Sequence, residues 1–162
     1  MKQIFFLLTL LSFSWVSQAQ EANLPPYKRF PTLPPFEITT IDRQVYTKSN
    51  LEAKPTVIMF FSPTCDHCQH QVEDFQKNYD KIKQFQFVLA CYTKPEELSK
   101  FINDYNMHKY PAFKLGIDTK YVLPPFYDIK SLPFIALYDK KGKLIKAQQG
   151  NMKVDDMIKA LQ

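Results

Sequence analysis

Phe60-Phe61-Ser62-Pro63-Thr64-Cys65-Asp66-His67-Cys68 is the stretch on which the reading of this chain turns. The apolar run that leads into it, Thr56 to Phe61, has the length and β-rich composition of a buried strand. A Ser-Pro-Thr turn follows. Two cysteines three residues apart then open a segment whose Val72, Phe75, Tyr79 and Ile82 recur at helical spacing. Strand, turn and helix meet at a pair of thiols, and cysteines at i and i+3 share one helix face. A disulfide between them closes a loop of only two intervening residues. It constrains little chain entropy, which suits reversible chemistry better than stapling.

The first helical turn has open amide donors and the positive end of the helix dipole, both of which favour a thiolate at Cys65. His67, when protonated, adds a neighbouring positive charge and Asp66 opposes it. Cys65 is therefore the expected attacking sulfur, and Cys68, one turn inside, the resolving one. A static disulfide or a stray core pair is the alternative. A metal reading also stands, because Cys65, His67, Cys68 and His70 crowd within six residues. Zinc would need a second ligand pair, for which only Cys91 and His108 are available, and haem attachment would need histidine where Gln69 stands. Copper(I) on the two thiols is the metal alternative that remains. His70 reads as a solvent-facing helix residue.

Outward from these residues, Gln84 to Cys91 alternates as a second strand with Phe85, Phe87, Leu89 and Cys91 on one face. Cys91 reads as a buried free thiol. Pro95, Glu96 and Glu97 then open a helix with a Leu98, Phe101, Ile102, Tyr105 stripe. This order predicts parallel strands joined by right-handed crossovers. Residues 106–127 are broken by Pro111, Gly116, Pro124 and Pro125, and predict one added strand, Ala112 to Ile117, and a loop. Ser131 to Tyr138 predicts another strand, Asp139 to Gly142 a tight turn, and Leu144 to Gln149 its antiparallel partner. A last helix carries Val154, Met157, Ile158 and Leu161. On the other side, Phe36 to Tyr46 predicts a short hairpin at the sheet edge, and the proline-rich residues 20–35 an extended arm. The aromatics Phe60, Phe61, Phe75, Tyr79, Phe85 and Phe87 read as core. Tyr110, Phe113, Phe126 and Tyr127 are candidates for either the core or a substrate groove.

Residues 1–19 read as a cleaved secretory signal: Lys2, an apolar stretch from Ile4 to Val16, and small residues in Ser17-Gln18-Ala19. The apolar run is shorter than the roughly 20 residues a spanning helix needs. Export places the chain where disulfides persist. The 162 residues, 45% hydrophobic, suffice for one domain with its own core, 36–162, so three cysteines need not act as staples. The net charge of +5 becomes +4 without the signal, as Lys plus Arg falls from 21 to 20 against 16 Asp plus Glu. These lysines are interspersed with acids, a pattern that argues against a nucleic-acid partner.

With Phe60 to Cys68 and Leu132-Pro133-Phe134-Ile135 placed, the chain resembles the thioredoxin superfamily, and within it the exported TlpA/ResA-type thiol-disulfide oxidoreductases common in Bacteroidota. The resemblance implies an α/β thioredoxin-like fold, a central mixed sheet flanked by helices, with an N-terminal hairpin and an inserted strand-helix unit between Phe87 and Ile117. It also implies a cis Leu132-Pro133 bond opposite the cysteines, where the backbone before the proline pairs with the incoming chain. Cys65, Cys68, His67 and Pro133 are the implied site residues. No cofactor beyond the redox-active disulfide is implied. The expected unit is a periplasmic monomer that exchanges electrons with cysteines of other exported proteins and is served by a membrane electron donor of the DsbD/CcdA type. A copper-binding module or an adaptor with an idle disulfide is the alternative. Three positions depart from the pattern. Thr64 replaces the aromatic that commonly precedes the first cysteine, Met59 stands where a buried acid often assists proton transfer, and Glu73 replaces the proline that kinks the helix. Histidine before the second cysteine is similar to the pattern of disulfide isomerases and oxidases, whose stabilised thiolate makes a better oxidant. The direction of electron flow stays open between the two resemblances.

Overall fold

A computed structural model describes residues 24–162. The expected signal, with Trp15, lies outside them. Seven strands form one sheet in the order β2-β1-β5-β4-β3-β6-β7. Their ranges are β1 Glu37–Thr39, β2 Val45–Thr47, β3 Thr56–Phe61, β4 Gln86–Cys91, β5 Phe113–Ile117, β6 Phe134–Tyr138 and β7 Leu144–Gln149. The three central strands β3, β4 and β5 are parallel, whereas β6, β7, β1 and β2 join antiparallel. The sheet is therefore mixed, as expected.

Every residue of β3 is buried, because both faces of the sheet are covered. Val57, Met59 and Phe61 face a core built with Val72, Phe75, Leu98, Phe101 and Met157. Ile58 and Phe60 face a second core with Phe36, Leu123, Tyr127 and Tyr138. The first core is closed by α2 Asp66–Lys77, α4 Pro95–Asp104 and α6 Val154–Leu161; the second by α5 Leu123–Tyr127 and, from the arm, α1 Pro26–Arg29. Phe85, Phe87, Leu89 and Cys91 lie in one core, as their alternation predicts.

Three local expectations are corrected. The arm is not simply extended. Pro26–Arg29 make one helical turn, Tyr27 packs edge-on against Phe134 at 6.1 Å and close to Tyr127 at 5.8 Å, and Thr32 bridges Lys143. Its prolines favour a helix start and an open strand, and its apolar side chains find the second core unfilled without them. The loop predicted after Ile117 contains α5, because the buried Asp118 carboxylate accepts from the amides of Val122 at 3.0 Å and Leu123 at 2.8 Å. A capping carboxylate six residues upstream of a Pro-Pro pair leaves little sequence periodicity to detect. The long helix predicted through Ile82 is two: α2 ends at Lys77, and α3 Tyr79–Ile82 follows after Asn78. The Asn78 amide side chain bonds the Asp74 carbonyl at 3.0 Å, an alternative to continuing the helix.

Candidate active site

The dithiol sits at the carboxyl end of β3, where the turn Ser62-Pro63-Thr64 carries the chain into α2. The Ser62 and Thr64 hydroxyls lie 3.1 Å apart, and the Cys65 amide donates to the Ser62 carbonyl at 3.2 Å. Gln69 ties the turn to the helix from the other side, its side-chain amide donating to the Pro63 carbonyl at 2.8 Å. Cys65 is the N-cap residue of α2: its backbone is extended, and its carbonyl accepts the first helical bond, from Gln69 at 3.0 Å. No side chain caps the helix, so the first-turn amides around the Cys65 sulfur are open to it.

The two sulfurs differ in surroundings. Cys65 is half-buried and Cys68 is fully buried beneath it, both as free thiols. Burial pushes the Cys68 thiol up from 9.0 to about 12. The Ser62 backbone works against this, whereas the neighbouring Cys65 thiol adds to the rise. Asp66 and His67 are exposed on the first turn. Met59 lies in the core under the site, paired with Leu89 and Ile135, so no carboxylate is supplied from that strand position. Glu73 is half-buried on an unbroken turn of α2.

Pro133 reaches the same end of the sheet by strand register. Phe60 pairs with Phe134 across the antiparallel β3–β6 ladder, so the residues before Phe134 emerge where β3 enters the cysteine turn. The Leu132-Pro133 peptide is cis. Leu132 is half-exposed and Ser131 exposed. The loop before the proline is held by Gln149, whose side-chain oxygen accepts from the amides of Lys130 at 3.2 Å and Ser131 at 3.1 Å. A cleft of about 190 Å³ opens beside the turn, between Pro63, Thr64 and Gln69 and the α4 residues Glu97, Phe101 and Tyr105.

The structure thus brings Cys65, Cys68 and His67 onto one turn and Leu132-Pro133 to the same sheet end. The residues that join the two halves, Gln71, Gln149 and Asn151, are missed by sequence reasoning. Gln71 is the one with a legible signal, a polar residue at the Cys68, Val72, Phe75 position of a helix stripe. Of the groove candidates, Phe113 and Tyr127 are core residues. The Tyr127 hydroxyl pairs with that of Tyr138 at 2.6 Å, and burial raises both phenols. Tyr110 and Tyr79 pack edge to face at 4.9 Å, away from the thiols. Cys91 is buried, its thiol 3.6 Å from the Gly116 carbonyl and pushed up to about 12 chiefly by that burial, with Glu97 and Asp118 adding to it. Among the described residues, no group of three or more His, Cys, Asp or Glu side chains comes together as metal ligands. His67 and His70 are both exposed.

A cysteine pair at a helix start, a parallel strand ahead of it and a cis-proline at the facing strand define a thioredoxin-like α/β protein, and known structures bear this out. A secreted Mycobacterium tuberculosis disulfide oxidoreductase superposes with a TM-score of 0.65 at 19% identity, over 78% of this chain and 93% of that one. StoA from Bacillus subtilis does so with a TM-score of 0.62 at 22% identity, over 80% of this chain and 98% of that one. The chain belongs to the AhpC/TSA family, whose sequence model matches residues 31–154. Its relatives include the sporulation thiol-disulfide oxidoreductase A of Bacillus subtilis, 22% identical over 94% of this chain and 91% of that protein. The thiol-disulfide oxidoreductase ResA of Halalkalibacterium halodurans is also 22% identical, over 72% of this chain and 66% of that protein. The expected TlpA/ResA kinship therefore stands.

Proposed function

We propose that this protein is a thiol-disulfide oxidoreductase whose Cys65/Cys68 pair exchanges electrons with cysteines of other proteins. The observation that carries the reading is the asymmetry of the pair, one thiol half-exposed at an uncapped helix start and its partner buried one turn below. The names of both relatives support it.

In the reducing direction, the Cys65 thiolate attacks one sulfur of a partner disulfide. A Cys65–partner bond forms, and the other partner sulfur leaves as a thiolate and takes up a proton. Cys68 then loses its proton and attacks the Cys65 sulfur. The Cys65–Cys68 disulfide forms, the second partner thiolate leaves, and two electrons have passed to the partner. Run backwards, the same steps oxidise a dithiol. The Cys68 proton, held by burial, makes the second displacement the demanding one, and Met59 offers no carboxylate to take it. We assign His67 to the exposed rim beside the Cys65 sulfur, and the Leu132-Pro133 segment to contact with the partner chain.

The same reading places the protein outside the cytoplasm, where the leader-like residues 1–19 would send it, with a membrane donor of the DsbD/CcdA type to return it to the dithiol. Among the described residues no helix is long and apolar enough to cross a membrane. The test is cysteine trapping in cells together with reduction of insulin disulfides by the pure protein. The dithiol should cycle and insulin should be reduced. A pair locked in one state, with no insulin reduction and no change on Cys65→Ser, overturns the reading. The measured reduction potential of the pair decides the direction of flow.

A further inference from the structure

The two halves of the site belong to elements far apart in sequence, α2 and β6, and three consecutive residues connect them. β7 ends its ladder with Gln149 opposite Phe134, and the Gly150 amide extends it by one bond, donating to the Pro133 carbonyl at 2.7 Å. Gly150 has a φ of +78°, a backbone conformation that residues other than glycine rarely adopt, and it turns the chain off the sheet toward α2. Asn151 then donates its side-chain amide to the His67 carbonyl at 2.8 Å, between the two cysteines. Met152 is held at both backbone atoms by Gln71: its amide donates to Oε1 at 2.7 Å and its carbonyl accepts from Nε2 at 3.0 Å. Gln71 is fully buried one turn beyond Cys68, and its pair of bonds does for Met152 what a neighbouring strand would do.

We propose that Gln71 and Asn151 are positioning residues, which lock the Gly150-Asn151-Met152 segment to the cysteine turn and so fix the Pro133 segment at a set distance from Cys65. The inference rests on the thiol-exchange reading. A polypeptide partner must meet both halves of the site at once, the sulfur on α2 and the exposed chain at Ser131-Leu132. A small reagent that reacts with sulfur alone needs only one half. Gln71 is a costly choice for a helix face that otherwise buries Cys68, Val72 and Phe75, because a buried amide is tolerated only with partners for both its ends. Met152 supplies them.

The test uses the full chain with Asn151→Ala, which removes the bond to His67 at an exposed position, and Gln71→Met, which removes both bonds to Met152 at similar volume. KM for insulin is expected to rise about tenfold, the upper worth of one net hydrogen bond, with kcat little changed. The rate of Cys65 alkylation by iodoacetamide, which touches only the sulfur, is expected to stay within about twofold of the parent protein. An unchanged KM in Asn151→Ala overturns the proposal, as does an alkylation rate that falls in step with insulin reduction, which would mark a general loss of structure. Should Gln71→Met not fold, Asn151→Ala decides alone. Failure of the parent protein itself to reduce insulin would instead sink the exchange reading, a distinguishable result.

Discussion

Phe60 stands directly across the β3–β6 ladder from Phe134, and this single register brings two segments more than 60 residues apart to one end of the sheet. One residue beyond Phe60 the strand ends and the cysteine turn begins; one residue before Phe134 is Pro133. Both phenylalanines are buried, so a slip of one position would turn the apolar faces of β6 over and part the two halves of the site.

The depth difference between the two thiols has a direct chemical readout. At pH 8, iodoacetamide should label Cys65 first, with Cys68 and Cys91 following only on unfolding, since burial pushes both of those thiols up to about 12. Mass mapping of the alkylated peptides checks this. Labelling of Cys68 ahead of Cys65 would reverse the assigned roles.

Removal of each sulfur should have a different effect. Cys65→Ser is expected to abolish exchange. Cys68→Ser should still attack but stall as a mixed disulfide with its partner, visible as a covalent adduct on a non-reducing gel and released by dithiothreitol. An adduct formed by Cys65→Ser instead would place the attacking sulfur at Cys68.

The buried thiols also bear on alkaline stability. Cys68 and Cys91 are held protonated in the fold, so below pH about 9 the folded and unfolded chains carry the same protons at these sites and nothing is lost. Between about 9 and about 12 the unfolded chain sheds them first, and stability falls as pH rises. The raised phenols of Tyr127 and Tyr138 act in the same direction from pH about 10. For the reduced protein, urea midpoints between pH 7 and pH 11 should be flat and then decline, and Cys91→Ala should decline less steeply.

The Tyr127–Tyr138 hydroxyl pair lends itself to a double-mutant cycle. Either single change to phenylalanine strands one buried hydroxyl and should cost about 1–3 kcal/mol, whereas the double change should cost much less than the sum. Additive losses in urea unfolding would mean that the two hydroxyls are not each other's partners.

At Gly116 the close approach of two strands leaves no room for a side chain. A Cβ there would lie 2.9 Å from the Ile38 Cβ, so Gly116→Ala should push β1 away from β5 at a cost of about 1–3 kcal/mol. Thermal unfolding reads this, and an unchanged midpoint would show that β1 moves freely.

The nine residues from Phe60 to Cys68, with the periodicities around them, were enough to place strand, turn, dithiol and helix, because each of those signals is local: a run of apolar side chains, a proline turn, and cysteines and apolar residues at helical spacing. The strand that opens at Pro133 was legible for the same reason, while the place of Leu132-Pro133 opposite the cysteines came from the family resemblance. What sequence reading missed is carried by single polar groups that act at a distance. Asp118 builds α5 out of a segment with no periodicity, and Asn78 ends a helix whose apolar stripe runs on. Gln71 reaches 81 positions along the chain to hold Met152. The partners in such bonds leave no pattern in the chain, since they are backbone atoms that every residue has, even where the side chain itself stands out, as Gln71 does in its apolar stripe. The local pattern thus marks Cys65 and Cys68 as the candidate dithiol. The depth of each sulfur, and the bonds by which Gln71, Asn151 and Gly150 link α2 to the strand end beside Pro133, arise in the packed fold, because burial and backbone pairing exist only once distant segments have met.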